Sequence, residues 1–419
     1  MSQGQLPRAA ARARNLDSVA NPTRALHQRD TTAGDLLRLI SDGAPRTRSQ
    51  LVETTGLARA AVSARVDSLL ERGLVIPYDH APSSGGRPPA RVVFNPRVRL
   101  IVAIDLGASH ANVAVTDLNG VTLGTRTERI DIADGPVIVL GHSLDVAEEI
   151  LAGLDASPAD VAGIGVGVPG PVAHATGRPM KPPIMPGWDA FDIPAHVSAR
   201  IAATVLVDND VNLLALGEHA ATFPDVDDLI YVKVSTGIGA GVVSGGELQR
   251  GALGAAGDLG HVQVPHFHGR ADTTTPGDLE SIASGAAIVR DLAAAGRQIG
   301  SVSELVELLV TNDPEAIEMS RTAGRHVGEV VATCVNLLNP AVIVLGGSVA
   351  TAGQEMLAGV REIVYRRSLP LATVELDIVQ AARNGTGGVL GAALMLRNHL
   401  LAADRIDEFI TGIDPVTTA

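Results

Sequence analysis

Three stretches of this chain carry residues with the types and spacing for chemistry on a hydroxylated small molecule. Asp208-Asn209-Asp210-Val211-Asn212 follows a short apolar run, Ala203 to Val207, so a strand would deliver these acids and amides to the start of a helix. An Asp at such a point serves either as a general base toward a hydroxyl or as a helix N-cap, which Asp and Asn both favour. Ser235-Thr236-Gly237-Ile238-Gly239-Ala240-Gly241 follows a second apolar run, Leu229 to Val234. A strand entering a glycine-dense turn lets backbone N–H groups converge on an anion, and the same glycines would equally serve a plain hairpin. Asp258-x-x-His261 and Glu280 complete the set. Two carboxylates and an imidazole on a glycine-rich scaffold supply several acceptors and a donor at fixed spacing, which is what recognition of a polyol needs.

The chain that must position these groups is 419 residues long, enough for two or three domains with large cores. Hydrophobic residues make up 46% and aromatics 2%, so those cores are aliphatic. A single cysteine, Cys334, excludes an intrachain disulfide and a thiolate zinc cluster. No apolar run reaches membrane-spanning length, and the N-terminus lacks the apolar segment of a secretory signal, so a cytoplasmic chain with no membrane partner is expected. Charge is split along the sequence. Residues 1–100 hold 15 arginines, no lysine and 8 acids, a balance of +7, whereas the remainder carries −20. A basic front on an acidic body suggests a polyanion-binding module joined to a part that binds none.

Residues 1–30 read as a disordered basic arm, and 31–97 as a DNA-binding domain. Gly34 to Ser41 predicts a short amphipathic helix. Thr47-x-x-Gln50 is a capping box opening a second helix, Gly56 ends it, and Ala58 to Arg72 forms a third with Val62, Val66, Leu69 and Leu70 inward. That order is a helix-turn-helix with the third helix as reader. Ser49, Arg59, Ser63 and Arg65 would then meet phosphates and base edges. Gly73 to Ile76 and Arg91 to Phe94 predict the strands of a wing whose Gly86-Arg87-Pro88 tip suits an A·T-rich minor groove, with Arg87 inserted.

From 98 to 419 strands alternate with helices, predicting an α/β domain with its site at strand ends. Ile101 to Leu106 is a strand ending in Asp105-Leu106-Gly107, and Asn119-Gly120 is a turn. Leu144 to Leu154, Ser281 to Ala295, Glu315 to Leu338 and Leu390 to Leu400 read as helices. Val161 to Pro171, Ala341 to Gly347 and Val374 to Val379 read as strands, the first two running into glycine turns.

In their order and spacing these motifs resemble the ROK family of repressors, open reading frames and sugar kinases. The set comprises Asp105-Leu106-Gly107, Gly167-Val168-Pro169-Gly170-Pro171, Pro186-Gly187-Trp188, Asn209-Asp210-Val211-Asn212, Thr236-Gly237-Ile238-Gly239, Gly257-Asp258-Leu259-Gly260-His261, Leu279-Glu280 and Val344-Leu345-Gly346-Gly347. The resemblance implies a winged helix-turn-helix followed by a two-lobed actin-like ATPase fold, and it places the chain with the family's regulators, since the stand-alone kinases lack the winged helix. It implies a sugar held by Asn209, Asp210, Asp258, His261 and Glu280, with Asp210 at the position of the kinase base. Asp105, Gly107, Thr236, Gly237, Gly239, Gly346 and Gly347 match the ATP-facing loops, here as a vestigial nucleotide site. Expected partners are an inverted-repeat DNA operator, a sugar or derivative, and further copies of the chain as a dimer or dimer of dimers.

The departures from the family pattern shape the rest. The phosphate loop reads Ala108-Ser109-His110, Ile184 replaces an asparagine, Asp258 replaces a glutamate, and the zinc cysteines give way to Ala271, Thr273 and Asp278. No cofactor, no metal and no kinase activity are therefore expected, with His266 and His268 the one route to a rebuilt metal site and the loop from Pro265 to Gly277 expected to be mobile. The leading reading is a sugar-sensing transcriptional regulator. A sugar kinase with a DNA-binding appendage and a regulator answering to a partner protein are the alternatives.

Overall fold

The structure is a computed structural model that describes residues 31–78, 90–264, 277–383 and 385–411. The described residues divide into two units, one running to Asn95 and taking up residues 401–411, the other spanning Pro96–Leu400. The sequence alone predicts one second domain from 98 to the C-terminus. The C-terminal helix instead belongs to the first.

In the first unit, helix Ala33–Ile40 opens on a capping box between Thr32 and Asp35. Helix Arg48–Thr55 opens on the predicted one, with Gln50 N donating to Thr47 Oγ1 at 3.1 Å and Thr47 N to Gln50 Oε1 at 2.8 Å. Gly56 ends it in the left-handed conformation, φ 70°. Helix Arg59–Glu71 buries Val62, Val66 and Leu69 against Leu36, Leu37, Ile40 and Leu51, while Leu70 is only half-buried. Strands β1 (Arg46–Thr47), β2 (Val75–Tyr78) and β3 (Arg91–Phe94) form a small antiparallel sheet in the order β1-β3-β2. The wing tip with Arg87 lies outside the described residues. Helix Ala403–Thr411 packs on the first helix: Gly34 N donates to Asp407 Oδ1 at 3.0 Å, and a β-carbon at 34 would stand 2.1 Å from Ala403 O. Arg72 donates to Ile410 O at 2.9 Å and lies 5.4 Å over the Phe409 ring.

The second unit holds two five-stranded sheets. The first contains β4 (Leu100–Leu106), β5 (His110–Asp117), β6 (Thr122–Arg129), β7 (Val161–Val168) and β10 (Thr204–Asn209), in the order β10-β7-β4-β5-β6. A two-stranded ribbon of β8 (Val172–Ala173) and β9 (Arg178–Pro179) stands between β7 and β10 in the sequence. The parallel pairing of β4, β7 and β10 sets Asp105, Gly167 and Asp208 side by side at their C-terminal ends. One core of this lobe gathers Val102, Ile104, Val113, Ile164 and the buried Trp188, whose Nε1 donates to Ile132 O at 3.0 Å.

The second sheet is β11 (Leu229–Val234), β12 (Ile238–Ser244), β13 (Glu247–Gln249), β14 (Val342–Gly346) and β15 (Asp377–Gln380), ordered β13-β12-β11-β14-β15. Side chains alternate along β11. Ile230, Val232 and Val234 enter the core with helix Pro314–Leu338, whereas Leu229 and Tyr231 face Val211 and Ala215 of helix Asp210–Thr222. Several sequence expectations are corrected here. Ser281 to Ala295 is two helices, Leu279–Ala283 and Gly285–Ala294, broken at Ser284, whose hydroxyl caps the second. Helix Pro136–Gly153 starts a full two turns before Leu144, on a proline at its first position. The last strand begins at Asp377, because Pro370–Thr373 is helical. Helices Val302–Val310 and Glu355–Arg367 were not anticipated.

Candidate functional site

On the first unit, Ser49 and Arg59 are exposed, and Ser63 and Arg65 half-buried. Arg59 is the first residue of its helix, and the N-cap, Ala58, offers no side-chain acceptor to the first-turn amides. Open N–H groups beside an arginine suit a phosphate. Arg48 is occupied differently: it pairs with Asp67 and ties the second helix to the third. Arg87 lies outside the described residues.

On the second unit, β10 delivers the Asp208-Asn209-Asp210 run as predicted, and the three residues part ways. Asp208 is buried and fully engaged, accepting from Asn212 Nδ2 at 2.8 Å, Asn209 N at 2.8 Å and Arg250 Nε at 2.7 Å. Asn209 caps the helix, its Oδ1 accepting from Val211 N at 2.9 Å while Nδ2 donates to Gly170 O at 2.8 Å. The cap of this helix is therefore Asn209, one residue before Asp210. Asp210, buried at the first helical position, pairs with Lys233.

Lys233 is a residue of this cluster that nothing in the sequence singles out. It shares the β11 face of Leu229 and Tyr231, the face covered by helix Asp210–Thr222, so its stem is directed at Asp210. Its strand neighbours in register are Gly239 on β12 and Gly346 on β14. Burial works to lower the Lys233 pKa, but the Asp210 carboxylate outweighs it, with Asp105 adding to the effect, and the ammonium is held above its usual range. Asp105 accepts from Asn112 Nδ2 at 3.3 Å; burial, then the charge of Asp210, pushes its pKa up to about 6.

Asp258, His261 and Glu280 gather around β12. Ala240 N donates to Gly257 O at 2.8 Å, and Glu280 N to Gly260 O at 2.9 Å, so the Asp258 to His261 segment lies between β12 and the helix carrying Glu280. His261 Nε2 stands 3.9 Å from Asp258 Oδ2, with both side chains open to solvent. Glu280, half-buried, accepts from Ile238 N through Oε2 at 2.8 Å. Asp278, at the position of a family cysteine, caps helix Leu279–Ala283 through Ser281 N at 2.8 Å. His266, His268, Ala271 and Thr273 lie outside the described residues.

The glycines read as nucleotide-facing have packing partners within the protein. A β-carbon at 237 would lie 2.5 Å from Glu280 Oε2, one at 107 would lie 2.2 Å from His110 Cε1, and one at 346 would lie 1.9 Å from the Tyr231 hydroxyl. Gly347 takes φ 90° against Val234 O. The Thr236 carbonyl accepts from Ala286 N at 3.2 Å. His110 packs against Gly107, and the Lys233 ammonium pairs with Asp210.

The ROK family model matches residues 101–399, and a MarR family model matches residues 28–83. The xylose repressor of Bacillus spizizenii is 26% identical over 367 residues, covering 87% of this chain and 94% of that protein. The DNA-binding transcriptional dual regulator NagC of Escherichia coli is 28% identical over 376 residues, covering 87% and 91%. A crystal structure of a ROK family transcriptional regulator, a homologue of the E. coli MLC protein, superposes with a TM-score of 0.75 at 25% identity, covering 91% of this chain and 98% of the other. No described helix is long and apolar enough to cross a membrane. A winged helix joined to two glycine-edged sheets, matched along most of its length, makes this chain a member of the ROK family and one of its DNA-binding transcriptional regulators.

Proposed function

We propose that the chain regulates carbohydrate-related genes in the manner of a repressor, acting in the cytoplasm as a homodimer or dimer of dimers on an inverted-repeat operator. A sugar or derivative enters between the lobes of the second unit. It is held by Asp210, Asp258, His261 and Glu280, while Asn209 shapes the wall. Binding favours one closure of the lobes, and that closure alters the spacing of the winged helices in the assembly. The observation that carries this reading is the exposed Asp258–His261 pair beside a half-buried Glu280, on a body fused to a helix-turn-helix.

Phosphoryl transfer is not part of the proposal. It depends on positioning the phosphates, and the Ala108-Ser109-His110 loop, with His110 packed against Gly107, supports leaving it out. The kinase reading keeps Asp105, Asp210 and the Thr236 to Gly239 loop as its support. A thermal-shift screen of sugars and sugar derivatives against the full chain, followed by operator titration with the hit, tests the proposal. One compound should raise Tm and change the affinity for the chain's own promoter region. Equal affinity for promoter and random DNA at moderate salt would overturn it.

A further inference from the structure

We infer that Lys233 is the resident counter-ion of the Asp105–Asp210 carboxylate pair, standing where a divalent cation would have to bring its charge and leaving the cleft set for an uncharged hydroxylated ligand. The last clause rests on the sugar-responsive reading above; the charge claim does not.

The geometry carries it. Asp105 lies near the end of β4 and Asp210 begins the helix after β10, both beside Gly167, where a β-carbon would stand 3.4 Å from Asp105 Oδ1 and 3.7 Å from Asp210 Cα. Lys233 reaches Asp210 from β11 of the opposite sheet. Gly239 and Gly346 flank Lys233 in register, so neither neighbouring strand adds a side chain beside it. Lys233 is one-fifth exposed, and Asp210 only 7%. Two carboxylates this deep need a cation nearby, since burying an unpaired charge is far costlier than burying a matched one. Among the described residues, Lys233 is the one cation in hydrogen-bond contact with Asp210. Its ammonium competes for the carboxylate oxygens a metal would take, and its fixed positive charge repels a divalent ion from the same space. A hydroxyl brings no charge into this balance and needs only an acceptor oxygen.

The test is Mn2+ titration of the full chain, reading free Mn2+ by electron paramagnetic resonance. Lys233→Met removes the charge while keeping the stem; Lys233→Arg keeps the charge. Lys233→Met should bind one Mn2+ per chain with affinity raised at least about tenfold over the unaltered protein, on the scale by which groups surrounding a metal site change its affinity. Lys233→Arg should show no gain, and adding Asp210→Asn to Lys233→Met should abolish it. If Lys233→Met fails to fold, the double variant with Asp210→Asn should recover the fold, because it removes the unpaired buried charge. A folded Lys233→Met with no added Mn2+ affinity would overturn the inference, as would a double variant that stays unfolded. So would an unaltered protein whose tight Mn2+ binding is lost in Asp210→Asn. No sugar is present in this titration, so a chain that answered to no sugar would sink the functional reading and leave this one standing.

Discussion

The two sheets of the second unit end in opposite chemistry. The first ends in acids, with Asp105 and Asp208 on either side of Gly167 and Asp210 one helical step beyond. The second ends in a lysine with a glycine on either side, and Arg250 follows its edge strand. Each cation crosses to an acid: Lys233 to Asp210, Arg250 to Asp208. The two sheets are therefore joined by two matched charge pairs. The two pairs still differ, since Asp208 keeps N–H donors from Asn209 and Asn212, whereas Lys233 is the recorded hydrogen-bond partner of the Asp210 side chain among the described residues.

That difference orders the expected effects. Lys233→Met should cost about 3–5 kcal/mol of unfolding free energy at neutral pH, the usual result of stranding a buried charge, measured by denaturant titration. Arg250→Ala should cost less, about 2–3 kcal/mol, because the remaining donors still solvate Asp208. Equal losses would mean the amide donors count for nothing.

The acid row also makes stability depend on pH. With the folded-state pKa of Asp105 raised to about 6, the folded protein holds that proton more tightly than the unfolded chain, whose Asp titrates near about 4. The stabilisation is complete below about pH 4 and is lost as pH rises through about 6, a change of roughly 2–3 kcal/mol. Asp105→Asn should flatten this part of the stability profile between those limits. An unchanged slope in the variant would assign it to other groups.

The first unit shows the same contrast between engaged and open charge. Arg59→Ala should weaken operator binding by about 1–3 kcal/mol with little effect on Tm. Arg48→Ala should change stability by only about 0.2–1 kcal/mol, as expected of a solvent-exposed pair. Anisotropy and melting curves on both variants separate the two roles.

Local signals were legible in the sequence. The Thr47–Gln50 capping box and the Gly56 stop each depend on neighbours within a few residues, and each formed. Lys233 was not legible, because a lysine in Leu-Ile-Tyr-Val-Lys-Val reads as a strand's solvent face until the covering helix is known. Gly237 and Gly346 looked like anion-facing turns for a related reason: the side chains that require them, Glu280 and Tyr231, come from distant sequence. The C-terminal helix was assigned to the wrong unit because its partner, Gly34, lies more than 360 residues earlier.

The central claim, a sugar-responsive DNA regulator that does not phosphorylate its ligand, is tested most directly in one sample. Labelled promoter DNA, the full chain, ATP, magnesium and the sugar identified by thermal shift are combined, and anisotropy and ADP release are followed together. The sugar should change DNA affinity with no ADP formed above the protein-free rate. Sugar-dependent ADP release that disappears in Asp210→Asn would contradict the account.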